Sequence, residues 1–257
     1  MTLETTIRVV RDNTIATVTL GRPDSHNALE IKMLHELTSI FEACSMDEDI
    51  RVVVLTAEGP SFCAGADLNW MKDSVGLTLE ENKIEAGRLA KLFQSIRNCT
   101  KPVIARVQGP AYGGGLGLIA ACDLSVAHIS ATFCFSEVKL GLVPAVISPY
   151  ILEKIPYNKA LRYMMTAERF TAEAAHLMGL ISEVAMDDTV LDAIVEGWLK
   201  LFMSNGPEAV RETKRLLQHL GTAPNPLDEE QFTADVIARR RVSEEAQLRL
   251  NKFLSKA

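Results

Sequence analysis

Short β-branched runs at residues 7–10 and 15–20 read as two strands joined by an Asp12-Asn13 turn. Beyond Pro23 the apolar period lengthens. Ile31, Leu34, Leu37, Ile40 and Phe41 share one side of a helix expected over 29–43. Val52-Val53-Val54-Leu55 opens a buried strand over 52–57, residues 79–96 repeat the helical spacing, and 103–107 is the next apolar strand. A short helix to about 121 and strands at 123–127 and 132–135 follow. From residue 145 onward helices dominate, apart from a strand expected at 180–184. Asn205-Gly206-Pro207 and Thr222-Ala223-Pro224-Asn225-Pro226 interrupt that helical stretch, since Gly ends helices and Pro begins them. The pattern predicts an α/β core of strand–turn–helix units over 1–190 and a helical region over 191–257.

Two of the predicted strands run into small-residue turns, and these carry the chemistry. Ser61-Phe62-Cys63-Ala64-Gly65-Ala66-Asp67 follows the strand at 52–57, and Gly109-Pro110-Ala111-Tyr112-Gly113-Gly114-Gly115 follows that at 103–107. Where no Cβ intervenes, a backbone N–H can approach a ligand closely. Two such turns at neighbouring strand ends are able to aim two N–H groups at one oxygen. That is an oxyanion hole, and it implies chemistry on an acyl group.

Composition narrows the alternatives. The chain has 257 residues and a formal net charge of −6, so an extended basic nucleic-acid surface is not expected. Arg239-Arg240-Arg241 is followed by Ser243-Glu244-Glu245 and reads as a helix end or a ligand contact. Cys44, Cys63, Cys99, Cys122 and Cys134 are odd in number and never spaced Cys-x-x-Cys, which argues against a disulfide framework or a zinc site. No signal peptide is read at Met1-Thr2-Leu3-Glu4, and the longest apolar run, 140–152, contains Pro144 and Pro149 and is too short to span a membrane. A cytoplasmic location and a reducing compartment are the expectation, with no membrane and no nucleic-acid partner.

Several motifs fail on inspection. His35-Glu36-Leu37-Thr38-Ser39 lacks the second histidine of a zinc-protease helix, so no metal site is expected there. Ser136-Glu137-Val138-Lys139 has the spacing of a Ser-x-x-Lys nucleophile without its companion motifs. Gly115-Leu116-Gly117-Leu118-Ile119-Ala120 satisfies a dinucleotide fingerprint, but it stands too far beyond Val107 to lie at the strand end.

Taken together, the chain resembles the enoyl-CoA hydratase/isomerase family, the crotonases. The matching segments are Gly21-Arg22-Pro23 with Asn27-Ala28-Leu29, Phe62-Cys63-Ala64-Gly65-Ala66-Asp67-Leu68, Lys101-Pro102-Val103-Ile104-Ala105, Gly113-Gly114-Gly115, Ala121-Cys122-Asp123 and the run from Phe135 to Pro144. The resemblance extends from the first hairpin to the C-terminus. It implies a crotonase (ClpP-like) ββα spiral core with a helical C-terminal region for oligomerisation and coenzyme cover, in trimers or hexamers. It also implies that the backbone N–H groups of Ala66 and Gly114 hold the oxygen of an acyl-CoA thioester, with Glu137 as the catalytic acid and base. No metal or cofactor beyond the coenzyme A of the substrate is expected.

Among subfamilies the chain is most similar to bacterial methylglutaconyl-CoA hydratases, on His26-Asn27-Ala28, Ala66-Asp67-Leu68-Asn69-Trp70-Met71, Gly114-Gly115-Leu116-Gly117-Leu118 and the run 142–150. The resemblance implies hydration of 3-methylglutaconyl-CoA to 3-hydroxy-3-methylglutaryl-CoA, in leucine breakdown. One departure stands out: two-glutamate hydratases carry their first glutamate where this chain has Gly117. Space left there is expected to admit a distal carboxylate or methyl branch, with Lys72 and Arg88 as candidate cationic partners. A one-glutamate Δ3–Δ2 enoyl-CoA isomerase, another hydratase of the family and a non-catalytic acyl-CoA-binding protein remain as alternatives. By the same resemblance Ala64, Ala66 and Leu68 offer backbone groups to the adenine, and Asp67 and Gly113 adjoin the site. The stretch to His26 lines the pantetheine path, and Phe253 and Lys256 are placed at the adenosine. Phe253 and Lys256 read equally as helix packing and a solvated charge, and Trp70 and Met71 as acyl-pocket wall or core.

Overall fold

The computed structural model describes residues 6–255. Strand β1 (Ile7–Asp12) pairs antiparallel with β2 (Ile15–Leu20), and the turn between them uses Asn13 at φ 51°, a left-handed conformation that asparagine tolerates. Helix α1 (Ile31–Met46) buries Met33, Leu34, Leu37 and Phe41 and returns the chain to β3 (Val52–Ala57), parallel to β2. Helices α2 (Leu68–Ser74) and α3 (Leu79–Arg97) then lead to β4 (Val103–Val107), parallel to β3. Both central strands are almost wholly buried, which is why they read as continuous apolar runs rather than alternating ones.

After β4 the chain makes the two-residue β5 (Ala111–Tyr112), helix α4 (Gly114–Ala121), β6 (Leu124–His128) and β7 (Thr132–Cys134). Helices α5 (Ser148–Leu152) and α6 (Tyr157–Thr166), strand β8 (Phe170–Thr171), helix α7 (Ala172–Met178) and strand β9 (Glu183–Ala185) follow. The main sheet runs β1-β2-β3-β4-β6-β9, and a small second sheet runs β5-β7-β8. This is a mixed α/β architecture, as the pattern of elements predicts.

The strand expected at 180–184 shifts to Glu183–Ala185. Gly179 ends α7 at φ 89°, and the N–H groups of Leu180 and Ile181 fold back onto the Ala175 carbonyl. Those two residues therefore close the helix instead of joining the sheet. Strands β5 and β8 were not expected; at two residues each, they carry no period to read.

The chain divides into two compact units, the first ending at Glu196 and the second beginning at Gly197, within α8 (Asp188–Ser204). The second unit continues with α9 (Pro207–Thr222), α10 (Glu230–Val242) and α11 (Glu244–Leu254). Arg239-Arg240-Arg241 forms the last turn of α10, where Arg240 pairs with Glu208 and Glu245. No helix among the described residues is long and apolar enough to cross a membrane.

Candidate active site

The first turn is shaped by the loop that precedes α1. Asn27 is completely buried, and its amide donates to the carbonyls of Glu58 and Ser61 at 2.8 Å each. Ala64 donates to the His26 carbonyl, Leu29 donates to the Gly65 carbonyl at 2.7 Å, and Asp67 donates to the Leu29 carbonyl at 2.9 Å. Leu29 and Ala66 thus form a parallel bridge in which the residues on either side of Ala66 make the bonds. By the alternation of a strand, the N–H of Ala66 itself then faces away from Leu29. It has no hydrogen-bond partner among the described residues, and Ala66 is exposed.

The second turn is set by the small sheet. Parallel pairing of Tyr112 with Cys134, and an N–H from Gly113 to the Cys134 carbonyl at 3.0 Å, make the segments after β5 and β7 leave side by side. Gly113 sits at φ 48°, ψ −118°, a conformation that L-residues resist, and the chain then turns directly into α4. The N–H of Gly114 is the first of that helix and is one of the donors a helix start leaves unpaired.

The two turns meet. Gly65 has φ 94°, and a Cβ added to it would lie 3.0 Å from the Tyr112 carbonyl and 3.8 Å from the Gly114 nitrogen. The carboxyl of Glu137 covers Gly113 from the other side: a Cβ on Gly113 would stand 3.4 Å from Oε1. Oε2 of Glu137 is buried without a hydrogen-bond partner. Burial pushes its carboxyl above the usual range, toward the acidity that serves proton transfer near neutral pH. The turn that carries Ala66 thus adjoins the one that carries Gly114, and the Glu137 carboxyl lies against the latter. The arrangement suits a reaction in which negative charge develops on an oxygen while a proton moves nearby.

Other expected site residues have different roles. Asp67 is buried with both oxygens engaged, one accepting from the Asn69 N–H at 2.8 Å and the other from Arg22 at 3.0 Å. Burial raises its carboxyl, but those donors outweigh it and hold the acid below the usual range. It is a helix cap and ion-pair partner, not a free ligand group. The N–H of Ala64 is likewise committed, to His26. His26 lies exposed in a left-handed conformation, with Nδ1 2.9 Å from the Ser61 hydroxyl. Leu68 is exposed at the start of α2. Trp70 packs against the core and donates Nε1–H to Glu85 at 2.7 Å. Phe253 is exposed on α11 in the second unit, and Lys256 lies outside the described residues.

Gly117 requires a correction. It is buried, and a Cβ there would stand 2.5 Å from Ile147 Cγ2 and 2.6 Å from Phe93 Cζ. No room for a carboxylate or methyl branch opens at this position, because two fully packed apolar side chains already fill it. Phe93 reads in sequence as an ordinary core position of the helix over 79–96, and Ile147 as part of the run 142–150.

In the second unit a cavity of about 580 Å³ opens between α9 and α10. Its walls include charges already paired, such as Arg215 with Glu212, Arg239 with Asp235 and Arg240 with Glu208. It contains none of the expected site residues.

Comparisons with known proteins identify the family and the fold. The profile of the enoyl-CoA hydratase/isomerase family matches residues 10–255, and the chain belongs to that family. It is similar to the enoyl-CoA hydratase ACTT6 of Alternaria alternata, with 35% identity over 86% of this chain and 73% of that protein. A crystal structure of an enoyl-CoA hydratase from Shewanella pealeana superposes with a TM-score of 0.94 at 38% identity, covering 99% of this chain and 95% of that one. A putative enoyl-CoA hydratase/isomerase (crotonase) from Legionella pneumophila gives 0.91 at 40%, covering 98% and 97%.

Proposed function

We propose that the protein reversibly hydrates an enoyl-CoA thioester, with 3-methylglutaconyl-CoA as substrate and 3-hydroxy-3-methylglutaryl-CoA as product. The unpaired N–H groups of Ala66 and Gly114 on adjoining turns, with the Glu137 carboxyl against Gly113, support this reading. Glu137 removes a proton from water as its oxygen bonds to Cβ, and the π electrons move onto the thioester oxygen. The two N–H groups hold that enolate, each worth ~3–4 kcal/mol in a water-excluded site. Glu137 then returns its proton to Cα on the same face, giving net syn addition and restoring the carboxylate.

The distal carboxylate of this substrate calls for a cation, and Arg88 fits the need. It is half-buried on α3 and makes no ion pair or hydrogen bond among the described residues, while Lys83, Lys91 and Arg97 of the same helix are all paired. It also follows Glu85, the partner of Trp70, by three residues, so the two share a helix face. The coenzyme would meet backbone groups of Ala64, Ala66 and Leu68 and the loop at His26, with Phe253 and Lys256 contributing from a neighbouring subunit of a trimer or hexamer in the cytoplasm. No cofactor apart from the coenzyme A of the substrate enters the scheme.

A panel of crotonyl-, 3-enoyl- and methylglutaconyl-CoA tests the reading, with Glu137→Gln as the inactive control. Hydration of methylglutaconyl-CoA in preference to crotonyl-CoA, and a KM for the former that Arg88→Gln raises about tenfold (~1.4 kcal/mol for one lost ion pair), is the expected result. Conversion of 3-enoyl to 2-enoyl thioester without water uptake would instead establish the isomerase, which also requires only one acid. Turnover of none of them would leave an acyl-CoA-binding protein.

A further inference from the structure

We infer that Arg22 is a positioning residue that aims the Ala66 N–H; the inference rests on the thioester reading above. The bridge that turns this donor outward consists of only two backbone bonds, from Leu29 to Gly65 and from Asp67 to Leu29. Arg22 clamps the same two segments from the side. Its Nη1 donates to the Ala28 carbonyl at 2.6 Å, and its Nη2 donates to the Asp67 carboxylate at 3.0 Å and lies 3.4 Å from Glu30. One guanidinium therefore ties the residue before Leu29 to the residue after Ala66.

The clamp is anchored at its own base. The N–H of Arg22 donates to Asn27 Oδ1 at 2.8 Å, and its carbonyl accepts the N–H of Asn27 at 2.8 Å and of Ser25 at 3.1 Å. The side chain is only 21% exposed, so water competes weakly for the fork. Asp67 passes the constraint onward, because its other oxygen caps α2 at Asn69. A planar fork is able to hold a carbonyl and a carboxylate at fixed angles, whereas a lysine ammonium has no such geometry. Without the fork, the segment 65–67 keeps its two-bond bridge but loses the lateral tie that fixes the tilt of the peptide preceding Ala66. Arg22 touches no reacting atom; it acts through the donor.

The test uses the full-length protein and a chromophoric cinnamoyl-CoA thioester, whose absorption moves to the red as its carbonyl oxygen is polarised. Wild type is expected to shift the probe. Arg22→Met is expected to bind it with a Kd within about threefold, shift it less, and lose about tenfold to hundredfold in kcat with KM little changed, a fraction of what one oxyanion donor supplies. Methylguanidinium added to Arg22→Met is expected to restore part of both signals. If Arg22→Met does not fold, Asp67→Asn carries the same test by weakening the clamp from the other end. An undiminished red shift with kcat within threefold of wild type would overturn the inference, as would a loss that follows only the unfolded fraction in thermal melts or that methylguanidinium fails to restore. Absence of a shift in wild type would instead count against the thioester reading itself.

Discussion

Replacing Gly114 with proline isolates a single backbone donor. Gly114 is the first residue of α4, and its N–H has no partner among the described residues. Proline is well suited to a first helical position, because its fixed φ matches the helix and the missing N–H is unpaired there anyway. The substitution therefore deletes the donor without deleting a structural hydrogen bond. Its Cβ would stand 3.0 Å from Leu29 Cδ1, the far end of a flexible side chain, which can yield by a few tenths of an ångström. Gly114→Ala makes the same contact but keeps the N–H, so it is the matched control. Loss of one oxyanion donor costs ~2.7–4 kcal/mol, and kcat of the proline variant is expected to fall ~10²–10³-fold below that of alanine. Steady-state hydration followed by loss of enoyl absorbance measures the ratio, and thermal melts verify equal folding. A ratio below tenfold, with both variants folded, would refute the role of this N–H.

Glu137→Gln should abolish turnover yet stabilise the fold at neutral pH. Burial raises the folded-state pKa, so wild type loses stability as pH rises through that value; the gain seen in the variant should vanish below the ordinary carboxylate pKa of 4.5, as melts across pH would show. The acid limb of kcat/KM against pH should be a single step with its midpoint above 4.5, because Glu137 is the proposed proton carrier; two resolved carboxylate steps would contradict this. Gly117→Ala should cost ~1–3 kcal/mol of stability by overpacking against Phe93 and Ile147. Phe93→Leu in the same chain should recover part of that loss, and melts in which it worsened matters would place the strain elsewhere.

What could be read from the sequence divides along physical lines. Strands buried on both faces, such as Val52–Ala57 and Val103–Val107, announce themselves as unbroken apolar runs, and α1 and α3 by their apolar stripe. The small-residue turns were equally visible, because backbone approach demands Gly and Ala at fixed places. Strands β5 and β8 were not legible, since their pairing depends on partners far away in sequence. The role of Arg22 was hidden for a similar reason. Its side chain bridges residues 6 and 45 positions away, and the Arg-Pro pair marks only where the loop begins.

Gly117 shows how a missing side chain differs from a missing volume. Interiors pack to crystal-like density, so space released at one position is taken up by neighbours unless something holds it open. Here Phe93, stacked edge-on against Tyr150 with centroids 5.8 Å apart, reaches the glycine together with Ile147. The surroundings of residue 117 are thus apolar, and the position carries no carboxylate. Desolvation raises the pKa of Glu137, so its carboxyl holds a proton more readily than a free one. A carboxyl so poised can take a proton from water and return it to carbon on the same face, and a second acid at position 117 would need the space that Phe93 occupies.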